Sequence, residues 1–221
     1  RSLVPTSGGG FALMGEGVSL AGMTETPLLI VLAQRPGPAT GLPTRTEQGD
    51  LEPALHAGHG EYPRIILAPG SVEQALRLTQ QAFDVADRYQ IPAIILTDQY
   101  LLDSHFQTSS LDVDGLEAPR HIVETDASYR RYRLTDSGIS PRGVPGWGGG
   151  LVCVDSDEHT EEGYITESMQ VRTDMVNKRL RKLDSLRREC IEPEYAGEAD
   201  APNLVVCWGS TYHVVKEALR R

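Results

Sequence analysis

The sequence predicts an α/β fold with a mostly parallel sheet, on three observations. Residues 28–33, 65–68 and 93–97 are short apolar runs without alternation, the pattern of strands covered on both faces. One well-delimited helical stretch separates the last two runs, giving β-α-β order. Glycine- and proline-rich segments follow the carboxyl ends of the early strands, where ligands bind in this architecture.

Arg1-Ser-Leu-Val4 opens the chain as though already inside a strand, which leads into the Thr6-Ser-Gly-Gly-Gly10 loop. Three or four strands make a thin sheet, so earlier strands are expected to lie upstream of Arg1. A helix is expected over 11–23, before strand 28–33. The clearest helix starts at Ser71-Val-Glu-Gln74, whose capping-box spacing lets the serine oxygen accept the free amides of the first turn. Val72, Ala75, Leu76, Thr79, Ala82, Phe83, Ala86 and Tyr89 then recur every three or four residues as one buried stripe. Ile91-Pro92 stops the helix and enters strand 93–97.

Periodicity is poor over 107–150, where Pro119, Pro141, Pro145 and Gly148-Gly-Gly150 mark a long irregular connection. A short strand is expected at 151–154 and a helix over 167–188. Met169, Val176, Leu180, Leu183 and Leu186 lie near one face of that helix, while seven basic residues from Arg172 to Arg188 crowd the others. An acidic linker, 192–200, precedes an expected strand at 203–208 and a helix over 210–221. The organisation read from these elements is threefold. Residues 1–106 form the carboxyl-terminal part of an α/β domain, 107–200 a connection with a long helix, and 201–221 the start of a second α/β domain.

The composition narrows function. The 221 residues carry 31 Asp and Glu against 21 Lys and Arg, a net charge of −10. That balance argues against a general binder of nucleic acid or anionic membranes, since phosphate polyanions are repelled. No apolar run approaches the roughly 20 residues of a membrane span, and the whole suits a cytoplasmic protein. Cys153, Cys190 and Cys207 lie far apart without a CxxC pair, which gives neither a disulfide framework nor a self-contained iron–sulfur or zinc site.

The most informative segment runs from Gln34 to Asp50, leaving the end of a buried strand with Arg35, Arg45, Thr40, Thr44 and Thr46 among glycines and prolines. Proline fixes φ and glycine permits close backbone approach, so the loop is expected to be rigid. A guanidinium on such a loop can grip a carboxylate through two parallel hydrogen bonds. A merely packed Ω-like loop is the equal alternative.

At these residues the sequence resembles a family. Thr6-Ser-Gly-Gly-Gly-Phe11, Gly15-Glu-Gly17, Leu20-Ala-Gly-Met-Thr-Glu25, Gln34-Arg-Pro-Gly-Pro-Ala-Thr-Gly41 and Leu42-Pro-Thr-Arg-Thr-Glu-Gln-Gly-Asp-Leu51 look like the α subunit of 2-oxoacid:ferredoxin oxidoreductases, the 2-oxoglutarate type most of all. Asp157-Glu-His159, Gly163-Tyr-Ile-Thr-Glu167 and Lys178-Arg-Leu-Arg-Lys-Leu183 extend the likeness over nearly the whole chain. The resemblance implies a thiamine-diphosphate-binding fold, with this chain on the pyrimidine side, followed by the start of a transketolase C-terminal-like domain. It implies oxidative decarboxylation of a 2-oxoacid to an acyl-CoA, with electrons passed to ferredoxin. A β subunit would bind the diphosphate and Mg²⁺ and carry an iron–sulfur cluster.

By the same resemblance, Arg35 contacts the substrate carboxylate, Thr44 faces the 2-oxoacid, and Thr40 is a weaker candidate. Gly9 stands where the family commonly has Pro, and Ala39 where it commonly has Ser. The family's tyrosine–proline substrate motif and the glutamate that activates the cofactor are both expected upstream of Arg1. The segment is therefore read as a fragment, inactive by itself. Glu16 and Glu25 are read as a helix residue and a cap rather than as the activating glutamate. Two other readings stay open: a different thiamine-dependent 2-oxoacid decarboxylase or transketolase-like half, and a non-catalytic docking domain.

Other residues offer weaker signals. The Thr6–Gly10 loop could cradle a phosphate on free amides, though close helix packing is the plainer reading. His56, His59 and Glu61 suggest metal ligands on paper, but a surface turn explains them as well. Asp157-Glu-His159 reads as a loop cluster near a subunit contact. The basic helix could dock an acidic ferredoxin, against a solvated face or a contact with the acidic linker. Asp98 sits at a productive strand end, or caps the turn after the strand.

Overall fold

The computed structural model describes residues 1–198 and 200–221. Four strands form one parallel sheet: β1 (Leu3–Ser7), β2 (Leu28–Gln34), β3 (Ile65–Leu67) and β4 (Pro92–Asp98), in the spatial order β1-β2-β4-β3. β2 and β4 pair along their full length, from Leu28 opposite Pro92 to Gln34 opposite Asp98. Moving from β1 to β2 to β3 crosses the sheet one way, and β3 to β4 steps back. Right-handed crossovers then put the intervening helices on opposite faces.

Two cores result. On one face α1 (Gly8–Ala12), α2 (Gly15–Met23) and α3 (Leu51–His56) cover Ile30, Leu32, Ile94 and Leu96 with Phe11, Val18 and Ala54. On the other, α4 (Val72–Tyr89) covers Leu29, Ile65, Leu67, Ala93 and Ile95 with Ala82, Val85, Ala86 and Tyr89. The part of the stripe nearest the end of α4 thus faces the sheet. The Ser71 hydroxyl accepts from the Gln74 amide at 3.2 Å, as the spacing predicts, and Gln74 reaches back to the Gly70 amide at 2.7 Å. Gln90, in the left-handed region at φ 55°, ends the helix.

Several expectations are corrected. The helix over 11–23 is two helices: α1 begins directly after β1 at Gly8, and the chain turns at Leu13 and Met14 before α2. The Thr6–Gly10 segment is therefore a strand end and a helix start, not a loop. No strand forms at 151–154 or 203–208. Leu204, Val205 and Val206 stand exposed with no strand alongside to receive their hydrogen bonds. The segment after them is helical, as expected: α8 (Thr211–Ala218). α5 (Gln99–Asp103) caps the end of β4, and residues 104–168 contain no helix or strand longer than an isolated bridge. The long basic helix is α6 (Met169–Arg181) with the short α7 (Leu183–Leu186), continued by a 3-10 turn, Arg187–Glu189. No helix among the described residues is long and apolar enough to cross a membrane.

The largest departure is the fate of that helix's charges. Lys178, Arg179 and Lys182 are buried, whereas Arg172, Arg181, Arg187 and Arg188 remain at the surface. Lys178 Nζ donates to Glu25 Oε1 at 2.5 Å, and Lys182 Nζ lies 2.6 Å from Glu25 Oε2, an ion pair outside hydrogen-bond geometry. Glu25 itself is 1% exposed, at φ 50° just beyond α2. Arg131 closes the cluster, donating to the Glu25 and Thr24 carbonyls at the end of α2 and to Gln90 Oε1 at the end of α4. Lys182 also reaches the Gln90 carbonyl at 3.3 Å. The carboxyl ends of two helices, each carrying partial negative charge, therefore help balance three buried cations.

Burial would raise the Glu25 carboxyl, but Lys182 and then Lys178 hold it far below the usual carboxylate range. Burial likewise pulls the Lys178 ammonium down to about 8, against the pull of Glu25. Glu158 forms the neighbouring pair, accepting from Arg172 and Arg179, while His159 stacks on Tyr132 at 3.8 Å and gives its Nδ1 proton to the Asp157 carbonyl.

Glu25→Gln leaves two buried ammoniums without a counter-charge and is expected to cost about 3–5 kcal/mol of stability at pH 6. The unfolded carboxyl titrates near its ordinary 4.5 and the folded one far lower, so the unfolded chain takes up the proton first. Glu25's contribution is present above 4.5 and falls away as pH drops below it. Urea unfolding of wild type and variant should show their difference shrinking between pH 6 and pH 3; a difference that grows with acid would contradict the assignment.

Candidate active site at the carboxyl edge of the sheet

β1, β2 and β4 end side by side at Ser7, Gln34 and Asp98, and the 35–49 loop rises from this edge. β2 is apolar until its last residue, Gln34, which is fully buried. Its side chain spans the edge: Nε2 donates to the Thr97 carbonyl of β4 at 3.2 Å, and Oε1 accepts the Asp50 amide at 3.0 Å. One amide thus joins the two ends of the loop to the neighbouring strand. The Asp50 carbonyl then accepts the Ala54 amide and starts α3.

Within the loop, the Leu42 amide bonds the Pro36 carbonyl at 3.1 Å, and the Arg45 amide bonds the Leu42 carbonyl at 3.1 Å. Gly41 makes this tight turn possible. It sits at φ +56°, and a Cβ there would lie 1.7 Å from the Pro36 oxygen. The turn is seated on α1, whose Gly9 leaves 3.3 Å between a Cβ and the Ala39 carbonyl oxygen.

Arg35, Thr40 and Thr44 are therefore brought onto one loop, Arg35 half-buried at its root and both threonines exposed. Among the described residues the Arg35 guanidinium enters no ion pair or hydrogen bond. Asp50 is the acid that feels its charge. Burial, then Glu47, raises the Asp50 carboxyl, and Arg35 partly offsets them. The Asp50 carboxylate packs on the start of α1, where a Cβ at Gly8 would be 2.5 Å from Oδ1.

Asp98 is both a cap and a junction. Oδ1 accepts the Leu101 amide at 3.0 Å, while Oδ2 accepts Ser210 Oγ at 2.5 Å and Gln48 Nε2 at 3.2 Å. Gln48 also donates to the Trp208 carbonyl at 3.0 Å. A cavity of about 330 Å³ opens beside this junction, lined by Thr46, Gln48, Asp98, Tyr100, Ser210 and Val214.

The remaining signals lie elsewhere. His59 pairs with Glu16 at 3.0 Å and His56 with Glu52 at 3.2 Å, and no three His, Cys, Asp or Glu side chains among the described residues are grouped to hold a metal. His159 is buried and its imidazole is held below its usual range, chiefly by burial, whereas Glu158 is half-buried and Asp157 exposed. Glu25, expected to be a simple cap, is the centre of the buried cluster at the opposite end of the strands. Glu16 is exposed against His59. Neither carboxylate reaches the carboxyl edge. Gln34, Gln48 and Asp50 were not singled out by the sequence; the available signal was an amide ending an otherwise apolar strand.

Residues 1–178 match the family of the pyruvate flavodoxin/ferredoxin oxidoreductase thiamine-diphosphate-binding domain. The chain belongs to this family. Among its relatives, the α subunit of 2-oxoacid:ferredoxin oxidoreductase 1 from Sulfurisphaera tokodaii is 41% identical over 99% of this chain and 36% of its own length. The 2-oxoglutarate synthase subunit KorA of Methanocaldococcus jannaschii is 34% identical over 100% of this chain and 59% of its own. The solved 2-oxoglutarate:ferredoxin oxidoreductase from Magnetococcus marinus, with 2-oxoglutarate, coenzyme A and succinyl-CoA bound, superimposes with a TM-score of 0.80 at 34% identity. It is matched over 100% of this chain and 39% of that one. The chain thus spans from about a third to three-fifths of these relatives. This oxidoreductase family binds thiamine diphosphate. Besides Asp98, the acids present at the carboxyl edge are Asp50, whose Oδ2 is buried without a hydrogen-bond partner, and the exposed Glu47.

Gly41→Ala should force the turn open and cost on the order of 1–3 kcal/mol, since both its φ and its space exclude a side chain. Gly17→Ala, in helix α2 with open space around it, should instead stabilise by about 0.5–1 kcal/mol. Paired chemical denaturation checks both signs, and equal effects would refute the loop geometry.

Proposed function

We propose that this chain is the segment of an α subunit of a thiamine-diphosphate-dependent 2-oxoacid:ferredoxin oxidoreductase that presents the substrate loop. The observation that carries this reading is the unpaired Arg35 guanidinium, rooted at the carboxyl end of a central strand on a closed loop. Arg35 holds the 2-oxoacid carboxylate through two parallel hydrogen bonds, which fixes orientation rather than moving a proton. The Thr44 hydroxyl donates toward the 2-oxo oxygen, and Thr40 adds a polar contact nearer the turn. Thiamine diphosphate, when bound, supplies the electron sink that loss of the carboxyl group requires.

The substrate class is a 2-oxoacid, with 2-oxoglutarate favoured by the loop sequence and by the ligands of the Magnetococcus marinus enzyme. The other parts of the reaction belong outside these residues. A β subunit would hold the diphosphate and Mg²⁺ and carry an iron–sulfur cluster, coenzyme A would take the acyl group, and ferredoxin the electrons. Three separated free thiols, Cys153, Cys190 and Cys207, are too few for a four-thiolate cluster within this segment. Residues 1–106 are the carboxyl-terminal part of the pyrimidine-side domain, 107–200 the connection, and 201–221 the start of a second α/β domain. The enzyme works in the cytoplasm.

In the complete, assembled enzyme, Arg35→Ala should lower kcat/KM for 2-oxoglutarate by about 10- to 100-fold, the loss of a charge-assisted contact. Arg35→Lys, which keeps charge but not the fork, should fall between. Unaltered kcat/KM in Arg35→Ala would refute the role.

A further inference from the structure

We propose that Gln34, Gln48 and Asp98 are positioning residues that hold the 35–49 loop in its substrate-binding shape; this rests on the functional reading above. The side chains of Arg35, Thr40 and Thr44 make no hydrogen bond among the described residues, so their direction follows from the backbone that carries them. Their flanks are fixed instead. Gln34 ties the loop's exit and return to β4, Thr46 Oγ1 accepts the Tyr100 amide at 3.2 Å, and Gln48 bridges Asp98 and Trp208.

Each anchor admits few alternatives. The Gln34 amide is buried, with one N–H donated to the Thr97 carbonyl and its oxygen accepting the Asp50 amide, so any shift of the loop root strands a buried polar group. Gln48 Nε2 serves two acceptors at once, and one of them, Asp98, is itself held by capping α5 and by Ser210. The turn inside the loop is thereby placed by anchors at the strand ends, and substrate binds a loop already ordered.

The test uses the complete, assembled enzyme. Gln48→Ala should raise KM for 2-oxoglutarate about tenfold, with kcat held within about twofold, as expected for a lost positioning contact. Trypsin should also cut more quickly after Arg45 in this variant. Gln48→Glu sets a carboxylate against Asp98 and should do at least as much. Adding Asp98→Asn to Gln48→Glu removes the like charge and remakes that contact with reversed polarity, while the donation to the Trp208 carbonyl stays lost, so KM should recover in part, a rescue that mere loss of structure would not give. Gln34→Ala should act in the same direction, and if that variant does not fold, the Gln48 series decides. Unchanged KM in Gln48→Ala and Gln48→Glu overturns the proposal, as does faster cleavage without a change in KM. Arg35→Ala in the same assay separates the two ideas. If it leaves turnover and KM intact, the functional reading fails; if it impairs them while the Gln48 variants match wild type, only the positioning role fails.

Discussion

Glu25 and the cations gathered on it hold together parts of the chain that are otherwise far apart. The carboxylate sits at the amino end of β2, and its two lysine partners lie more than 150 residues later, on a helix that makes few other contacts with the sheet. Arg131, from the irregular connection, meets the same point. Taking such charges out of water is costly, and the arrangement persists because the carboxylate and the carbonyl ends of α2 and α4 compensate them together. Removing one member leaves the others buried and unmatched. The irregular connection and its helix are in this way committed to one placement on the sheet.

A second consequence is a division between the two ends of the strands. At the amino end, Asp87 takes Arg1 and Arg142, Glu25 takes the lysines, and Glu158 takes Arg172 and Arg179. Charge there is used up in fixed pairs. At the carboxyl end, Arg35 is left unpaired and neighbouring hydroxyls are exposed. The sheet separates a region whose electrostatics are internally satisfied from one that is open to a ligand.

Legibility in the sequence followed the range of the interactions. β2, β4 and α4 were readable because an apolar run, a stripe and a cap are local patterns. The 35–49 loop was readable for the same reason, through its glycines, prolines and arginines. The strands expected at 151–154 and 203–208 had suitable residues but no partner strand, and propensity without pairing does not make a sheet. The basic stripe of α6 looked solvated because its counter-charges, Glu25 and Glu158, stand outside the helix. Gln34 and Gln48 were invisible on the same grounds: an amide declares nothing until the groups it bridges are known.

The closure of the 35–49 loop by a strand's own side chain has a bearing on how such a loop can diversify. Loop-closure entropy grows only logarithmically with length, so a span fastened at its base by Gln34 tolerates residues added or exchanged between its ends at modest cost. The strand register beneath would not feel the change. The span can then be exchanged as a cassette while the sheet, its two cores and the opposite pole stay as they are.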